Sequence, residues 1–347
     1  MPNFEIELYS DTKTMPSQAM RQAIAEAEVG DEQHHECPTV TRLIERVSSM
    51  LGHESAMFVP SGTMANELAL LLHCQPGDEV YGHEQCHLFN SEGGAPAALA
   101  GASLKPLPGV RGVISADTLR AAVRRPSKYA PRSRLLSIEQ TSNDAGGTVW
   151  TVDELKSVTE EARSHGLKVH LDGARLMNAS VASSKKPAEF SSMFDSVYLD
   201  FTKGLGCPFG AMLVGPQEFI DRAWFWKQRL GGSMRQSGLM AAACLWALDN
   251  NIERLSEDHD NAKYLAAGLS KIDGIMVEPV ETNMVFFDIA ALNTTPEAFI
   301  NRMKERGTRA GIHGHTRLRF VTHLSVNRAQ IDKAIGIVSE LAREANR

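Results

Sequence analysis

From residue 56 to residue 214 the chain repeats one pattern: a short apolar run, a polar or glycine-rich turn, then a stretch with helical spacing. Ala56–Val59 closes at Pro60-Ser61-Gly62-Thr63 and leads into the helical stretch Met64–His73. Glu79–Tyr81 closes at Gly82, and Leu135–Ile138 is followed by Thr151–Ser164, whose Val152, Leu155 and Val158 share one helical face. Leu167–Leu171 closes at Asp172-Gly173, Val197–Phe201 closes at Thr202-Lys203-Gly204, and Gly210–Val214 is a further apolar run. Parallel strands need long crossovers, usually helices, so this alternation predicts an α/β fold with a mostly parallel central sheet.

The flanks read differently. Residues 1–50 hold a strand-like piece at Phe4–Leu8, a polar turn at Ser10-Asp11-Thr12 and helical pieces at Met15–Glu26 and Thr39–Leu51, with no complete unit among them. Helical sequence runs from Pro216 to Ile272; strand-like Met284–Ile289, helical Thr295–Arg306, strand-like Leu318–Thr322 and amphipathic Arg328–Ala345 follow. The expected division is an N-terminal arm and helical segment at 1–50, a large α/β domain at 51–250 and a smaller C-terminal α+β domain at 251–347.

Composition excludes several classes. With 36 Lys and Arg against 42 Asp and Glu, the chain has no basic field for nucleic acid. No apolar run nears the ~18 residues that a membrane span needs, and the N-terminus shows neither the basic nor the apolar region of a secretory signal. The five cysteines are dispersed, odd in number and form no C-x-x-C, so free thiols in a cytoplasmic setting are expected.

Four polar clusters follow expected strands, where α/β sheets bind ligands: Ser61-Gly62-Thr63, Gly82–His87, Asp172–Arg175 and Thr202-Lys203. Small residues opening a helix at Gly62 and Thr63 present free N–H groups to a phosphate, although an ordinary helix cap has the same sequence. Asp172 at a strand end can keep a pyridinium nitrogen protonated, and Arg175 can anchor a carboxylate; a local surface pair is the alternative. Lys203, at the end of an apolar strand, is placed to lose hydration and form a Schiff base. A lone lysine there would read as a solvent-facing strand end. Paired with Asp172, 31 residues upstream, it matches the needs of pyridoxal 5′-phosphate (PLP).

Two other motifs compete. His83-Glu84-Gln85-Cys86-His87 is a literal H-E-x-x-H, which in a zinc hydrolase puts both histidines on one helical face. Here Gly82 and the strand-like Glu79–Tyr81 directly precede it, so no metal is expected. Gly204-Leu-Gly206-Cys-Pro-Phe-Gly210 has the wrong spacing for a dinucleotide loop, and His34-His35-Glu36-Cys37 lacks a second ligand pair at zinc spacing.

With these residues in view, the sequence resembles the L-threonine aldolase family of fold-type-I PLP enzymes from about Leu8 to Leu324. The matching stretches are Ser10-Asp-Thr-Lys-Thr14, Val29-Gly-Asp31, Pro38-Thr-Val40, Pro60-Ser-Gly-Thr-Met-Ala-Asn66, Gly93-Gly-Ala95, His170-Leu-Asp-Gly-Ala-Arg175, Lys203-Gly-Leu-Gly206, Gly231-Gly-Ser-Met-Arg-Gln236, Glu257-Asp-His259, Thr282-Asn283 and Arg319-Phe-Val-Thr-His323. The resemblance implies that Lys203 holds PLP and that Asp172 pairs with its ring nitrogen. It also implies that His87 stacks on the ring near the substrate hydroxyl and that Gly62 and Thr63 bind the phosphate. Arg235 would reach the phosphate of a neighbouring subunit's cofactor, while Ser10, Arg175 and Arg319 would hold the substrate carboxylate. A homo-oligomer, dimer or tetramer, with shared active sites would follow, its interface joined by the N-terminal arm. The implied reaction cleaves an L-3-hydroxy-α-amino acid to glycine and an aldehyde, with His87, or a water it holds, as base.

The chain departs from the family pattern in three places. Glu139-Gln140-Thr141-Ser142-Asn143 stands for the usual Glu-Asn-Thr-His-Asn, so Ser142 replaces a histidine placed near the substrate β-carbon. His34 occupies a tyrosine position, and Gln228, flanked by Lys227 and Arg229, occupies a basic one. These changes predict an altered β-substituent preference, shifted toward a phenylserine-type substrate, or compensation of Ser142 by His34. The alternatives are a PLP-dependent β-eliminating lyase or amino-acid racemase, the zinc hydrolase, and a non-catalytic protein of the same fold.

Overall fold

The computed structural model describes residues 4–346. A two-residue strand, β1 (Ile6–Glu7), comes first among the described residues. Seven strands then build the central sheet: β2 (Ser55–Val59), β3 (Asp78–His83), β4 (Ser103–Leu107), β5 (Arg132–Glu139), β6 (Lys168–Gly173), β7 (Ser196–Asp200) and β8 (Ala211–Gly215). Their spatial order is β2-β8-β7-β6-β5-β3-β4. Only β8 runs against its neighbours, β2 and β7; the other pairs are parallel, as the strand–helix alternation predicts. Every residue of β2, β3, β7 and β8 is buried, as a sheet covered on both faces requires.

The sequence reading missed β4. Its Ser103-Leu-Lys-Pro-Leu107 leaves two of five residues exposed, and Pro106 has no N–H to donate. An edge strand, paired on one side only, tolerates both features.

One helix, Gly62–His73, is tied at both ends. Ser61 Oγ accepts the N–H of Met64 at 3.2 Å. Arg134 and Arg222 donate to the carbonyls of His73 and Leu72, at 2.6 and 3.4 Å, placing positive charge at the negative end of the helix dipole.

The C-terminal region forms a four-stranded antiparallel sheet from β9 (Met276–Val277), β10 (Met284–Asp288), β12 (Gly311–Ile312) and β13 (Arg317–Val321), in the order β12-β13-β10-β9. It has its own apolar cluster, with Leu265, Phe287, Phe320, Ile331 and Val338. Strand β1 pairs in parallel with β11 (Thr308–Arg309), so Ile6 and Leu8 sit in that cluster. Helix Pro38–Leu51 instead puts Val40, Leu43, Val47 and Leu51 into the core of the large sheet. The described part of the N-terminal segment is thus divided between the two cores.

A buried ion pair fixes one further segment. Lys227, in helix Gln217–Arg229, is fully buried with its ammonium on the Glu32 carboxylate, which Ser237 Oγ also reaches at 2.9 Å. Burial pulls the Lys227 amine below its usual range, opposed by Glu32. Lys227→Met should cost about 3–5 kcal/mol, because it strands a buried carboxylate. A denaturant melt in which the variant matches the parent would contradict this.

Candidate active site

A cavity of about 300 Å³ opens at the carboxyl ends of β5, β6 and β7. Ser10, Gly62, Thr63, His87, Asp172, Arg175, Lys203 and Arg319 all line it, so the structure brings together most of the residues singled out in sequence. A wider surface groove of about 540 Å³ between Arg254 and Arg328 contains none of them.

Lys203 follows β7 by three residues, and its Nζ rests on Asp200, the last residue of that strand. The amine is therefore charge-balanced by a neighbour, where the sequence argument expected simple loss of hydration. Asp200 also accepts from Tyr198 Oη at 2.9 Å and from Thr202 N and Oγ1 at 2.7 and 2.8 Å. Burial works to raise the Asp200 carboxyl, but Lys203 and Thr202 together hold it below the usual range. Tyr198 packs so tightly on Gly62 that a Cβ there would come within 1.9 Å of the phenol oxygen, so only glycine fits. Among the described residues, the N–H groups of Gly62 and Thr63 have no protein partner, whereas those of Met64 and Ala65 go to Ser61.

Three carboxylates form the opposite, acidic end. Asp172 accepts from Asn66 Nδ2 at 2.9 Å and from Ala174 N at 3.0 Å. Glu92 accepts from Asn66 Nδ2 at 2.7 Å and meets His87 Nδ1 at 2.8 Å. Glu139 takes the backbone N–H groups of His87 and, at 3.2 Å, Asn143. Burial and the Asp172 charge push Glu139 up to about 8. Burial also raises Glu92. The hydrogen bond to Glu92 raises His87 against the effect of burial. This crowding of acids leaves room for one cation at Asp172 and supplies its neutralising charge.

The third wall is cationic. Arg175 forks onto Asp11 through Nε and Nη2, at 2.8 and 2.7 Å, and burial of Asp11 is outweighed by that arginine, so Asp11 is held well below the usual carboxylate range. Arg319 donates through Nη1 to Asn143 Oδ1 at 2.9 Å and lies 3.4 Å from Asp144 Oδ1, while its buried Nε has no partner. Burial and the Arg175 charge pull Arg319 down to about 10. Arg319 thus keeps unused donors for a ligand carboxylate, whereas the fork of Arg175 is already filled.

Three expected residues lie outside the cavity. His34 is exposed at the end of the turn Glu32–His34. Ser142 is buried beside Gly112 and lines a separate small void with His83 and Trp150. Arg235 pairs with Asp31 at 2.9 Å, with its side chain 59 % exposed. Neither neighbour of Gln228 stands in for it at the cavity: Lys227 is spent on Glu32, and Arg229 stacks on Trp226. His83 ends β3 while His87 begins the short helix His87–Asn90, so the H-E-x-x-H residues share no helical face. His87, Glu92 and Asp172 offer atoms within 4.8 Å of one another, yet Asn66 already ties both carboxylates and Glu92 occupies His87 Nδ1.

Sequence reasoning missed Asp11, Asn66, Glu92, Glu139 and Asp200 as site groups. Each stood next to or inside a quoted stretch; Asp11, Asn66 and Glu139 find partners that only the fold brings near, whereas Asp200 meets Lys203 three residues on.

The arrangement fits PLP. The acidic end suits a protonated ring nitrogen, the open N–H groups suit a phosphate, Lys203 suits an aldehyde, and the orphaned Nε of Arg319 suits the carboxylate of an amino acid. Comparison with known proteins agrees. Residues 7–292 match the family model described as beta-eliminating lyase. Low-specificity L-threonine aldolase 1 of Arabidopsis thaliana is 38 % identical over 333 residues, covering 94 % of this chain and 93 % of that protein. The low specificity L-threonine aldolase of Escherichia coli K12 is 38 % identical over 327 residues, covering 94 % and 96 %. Among solved structures, a threonine aldolase of Leishmania major superposes with a TM-score of 0.84 at 20 % identity, over 97 % of this chain and 99 % of that one. A serine palmitoyltransferase of Sphingomonas wittichii superposes with a TM-score of 0.76 at 15 % identity, over 98 % and 88 %. The fold is that of the fold-type-I PLP enzymes, and the chain belongs to the beta-eliminating lyase family and, with these relatives, to the low-specificity L-threonine aldolases.

Proposed function

We propose that this chain is a PLP-dependent aldehyde-lyase that cleaves L-3-hydroxy-α-amino acids, such as threonine, allo-threonine and phenylserine, to glycine and an aldehyde. The observation that carries this reading is the split of charge across one cavity, with Lys203 and Asp172 on adjacent strand ends and Arg319 lining the same cavity.

Bound at Lys203, PLP supplies an electron sink for the electrons of the Cα–Cβ bond. Asp172, held at both oxygens, would keep the ring nitrogen protonated. Gly62 and Thr63 would bind the phosphate at the positive end of their helix. Arg319 grips the substrate α-carboxylate and sets which bond at Cα is cleaved. Glu92 holds the Nδ1 hydrogen of His87, which leaves Nε2 bare. That nitrogen takes the proton of the β-hydroxyl as the Cα–Cβ bond breaks and the aldehyde carbonyl forms. Cα then gains a proton and becomes glycine.

Breadth at the β-substituent belongs to the same proposal. Ser142 faces away from the cavity, so tolerance of bulky groups would rest on the open surroundings of His87, and His34 does not compensate within one chain. A homo-oligomer with shared sites in the cytoplasm completes the reading. Arg235, exposed and outside its own cavity, is the residue that such sharing would bring to a neighbour's phosphate.

Product analysis tests the reaction. Purified protein with PLP and each of the three substrates should release glycine and an aldehyde in equal amounts. A 2-oxo acid and ammonia would move the assignment to β-elimination. The His87–Glu92 pair predicts a pH dependence. A base works only when unprotonated, so kcat/KM should rise with pH through a His87 value above the ordinary histidine range. Glu92→Gln removes the group that raises this value and should move the acid limb to lower pH. An acid limb that stays in place would show that His87 is not the titrating base.

A further inference from the structure

Behind the cavity, a row of buried polar side chains takes its hydrogen placement from the ionised acids at its inner end. Asn66 Nδ2 lies 2.9 Å from Asp172 Oδ2 and 2.7 Å from Glu92 Oε1. An ionised carboxylate only accepts, so the amide nitrogen faces the acids and Asn66 Oδ1 faces His170 Nε2, 3.0 Å away. That ring nitrogen must carry a hydrogen. Burial pulls His170 down to about 4, so its ring is neutral and Nδ1 is bare. Nδ1 then accepts from the hydroxyl of Ser196, at 2.8 Å. Ser196 has a single hydrogen, so His73 Nε2, 2.8 Å from the same oxygen, must donate to it. Burial and the neighbouring His170 hold His73 neutral too, pulled down to about 3. All four side chains are more than nine-tenths buried.

We propose that Asn66, His170, Ser196 and His73 form a one-way hydrogen-bond relay that positions Asp172, every donor pointing toward that acid, and thereby sets how tightly the protein holds its pyridine cofactor. The proposal rests on the reading of Asp172 as partner of the cofactor's ring nitrogen. The relay runs from the end of helix Gly62–His73, across the start of β7 and the middle of β6, to the cavity. Its outer end is fixed: His73 stacks on Phe219 at 4.9 Å, and its carbonyl is held by Arg134. Each bond polarises the next in a dry interior, so the orientation of the first donor is felt at the last.

A break far from the cavity should therefore register at Asp172. Without the Ser196 hydroxyl, His170 Nδ1 loses its donor and His73 Nε2 its acceptor, so the His170 ring is no longer braced from behind. Asn66, held through His170 Nε2, is then less firmly set against Asp172.

Two measurements test this. Long-range ¹⁵N–¹H spectra of ¹⁵N-histidine-labelled protein, without cofactor and near neutral pH, should show His170 and His73 neutral with hydrogen on Nε2. Hydrogen on Nδ1 of either ring would overturn the relay whatever the protein's activity. PLP binding to the unlabelled protein should weaken about tenfold in Ser196→Ala, the loss of one hydrogen bond's worth of positioning, and recover in Ser196→Thr, which restores the hydroxyl. Unchanged affinity in Ser196→Ala would overturn the relay while leaving the aldolase reading in place. A parent protein that binds no PLP would overturn both the aldolase reading and the proposed purpose of the relay.

Discussion

The site depends on one constraint: three acids end three adjacent strands. The register sets Glu139 opposite Asp172 and Asp172 opposite Tyr198, two residues before Asp200. Parallel pairing therefore gathers Glu139, Asp172 and Asp200 at one edge of the sheet, where burial penalises each charge. Each acid has acquired its own donors. Glu139 has two backbone N–H groups, Asp172 has Asn66 and Ala174, and Asp200 has Lys203, Tyr198 and Thr202. Only Lys203 among these donors brings a full charge. The acidic end thus remains short of positive charge, which a protonated pyridine ring would supply under the proposed function.

The cationic wall answers the same logic with the opposite sign. Asp11 fills the fork of Arg175, so the pair is a rigid support. Asn143 bridges both arginines, Arg319 at 2.9 Å and Arg175 at 3.4 Å, while its backbone N–H holds Glu139. One loop residue thereby couples the arginine pair to the acidic end. The arginine pair spans both sheets, since Arg319 stands on β13 and Arg175 follows β6.

Strand–helix alternation made the fold class legible, because fully buried strands read as unbroken apolar runs. Strand β4 was not legible, since its lysine, proline and half-exposed face carry no such run. Lys203 and Asp172 were legible because each stands at or just past the end of an apolar run. Asp11 was not, since its partner Arg175 lies 164 positions away and only folding reveals the fork. Glu92 and Asn66 were hidden for the same reason: a glutamate before two glycines and an asparagine inside a helix look ordinary until the sheet sets them against His87 and Asp172. The departures at His34 and Ser142 point the opposite way. The resemblance made both into pocket residues; neither lines the chain's own cavity, His34 being exposed and Ser142 lining a separate void. Side-chain direction in an irregular loop is not encoded by a periodic pattern.

The most direct test of the central claim is chemical. The protein is incubated with PLP, reduced with borohydride, digested and analysed by mass spectrometry. Lys203 should carry the reduced pyridoxyl group in near-stoichiometric yield, and Asp172→Ala should lower that yield. Labelling spread over exposed lysines with Lys203 unmodified would contradict the account.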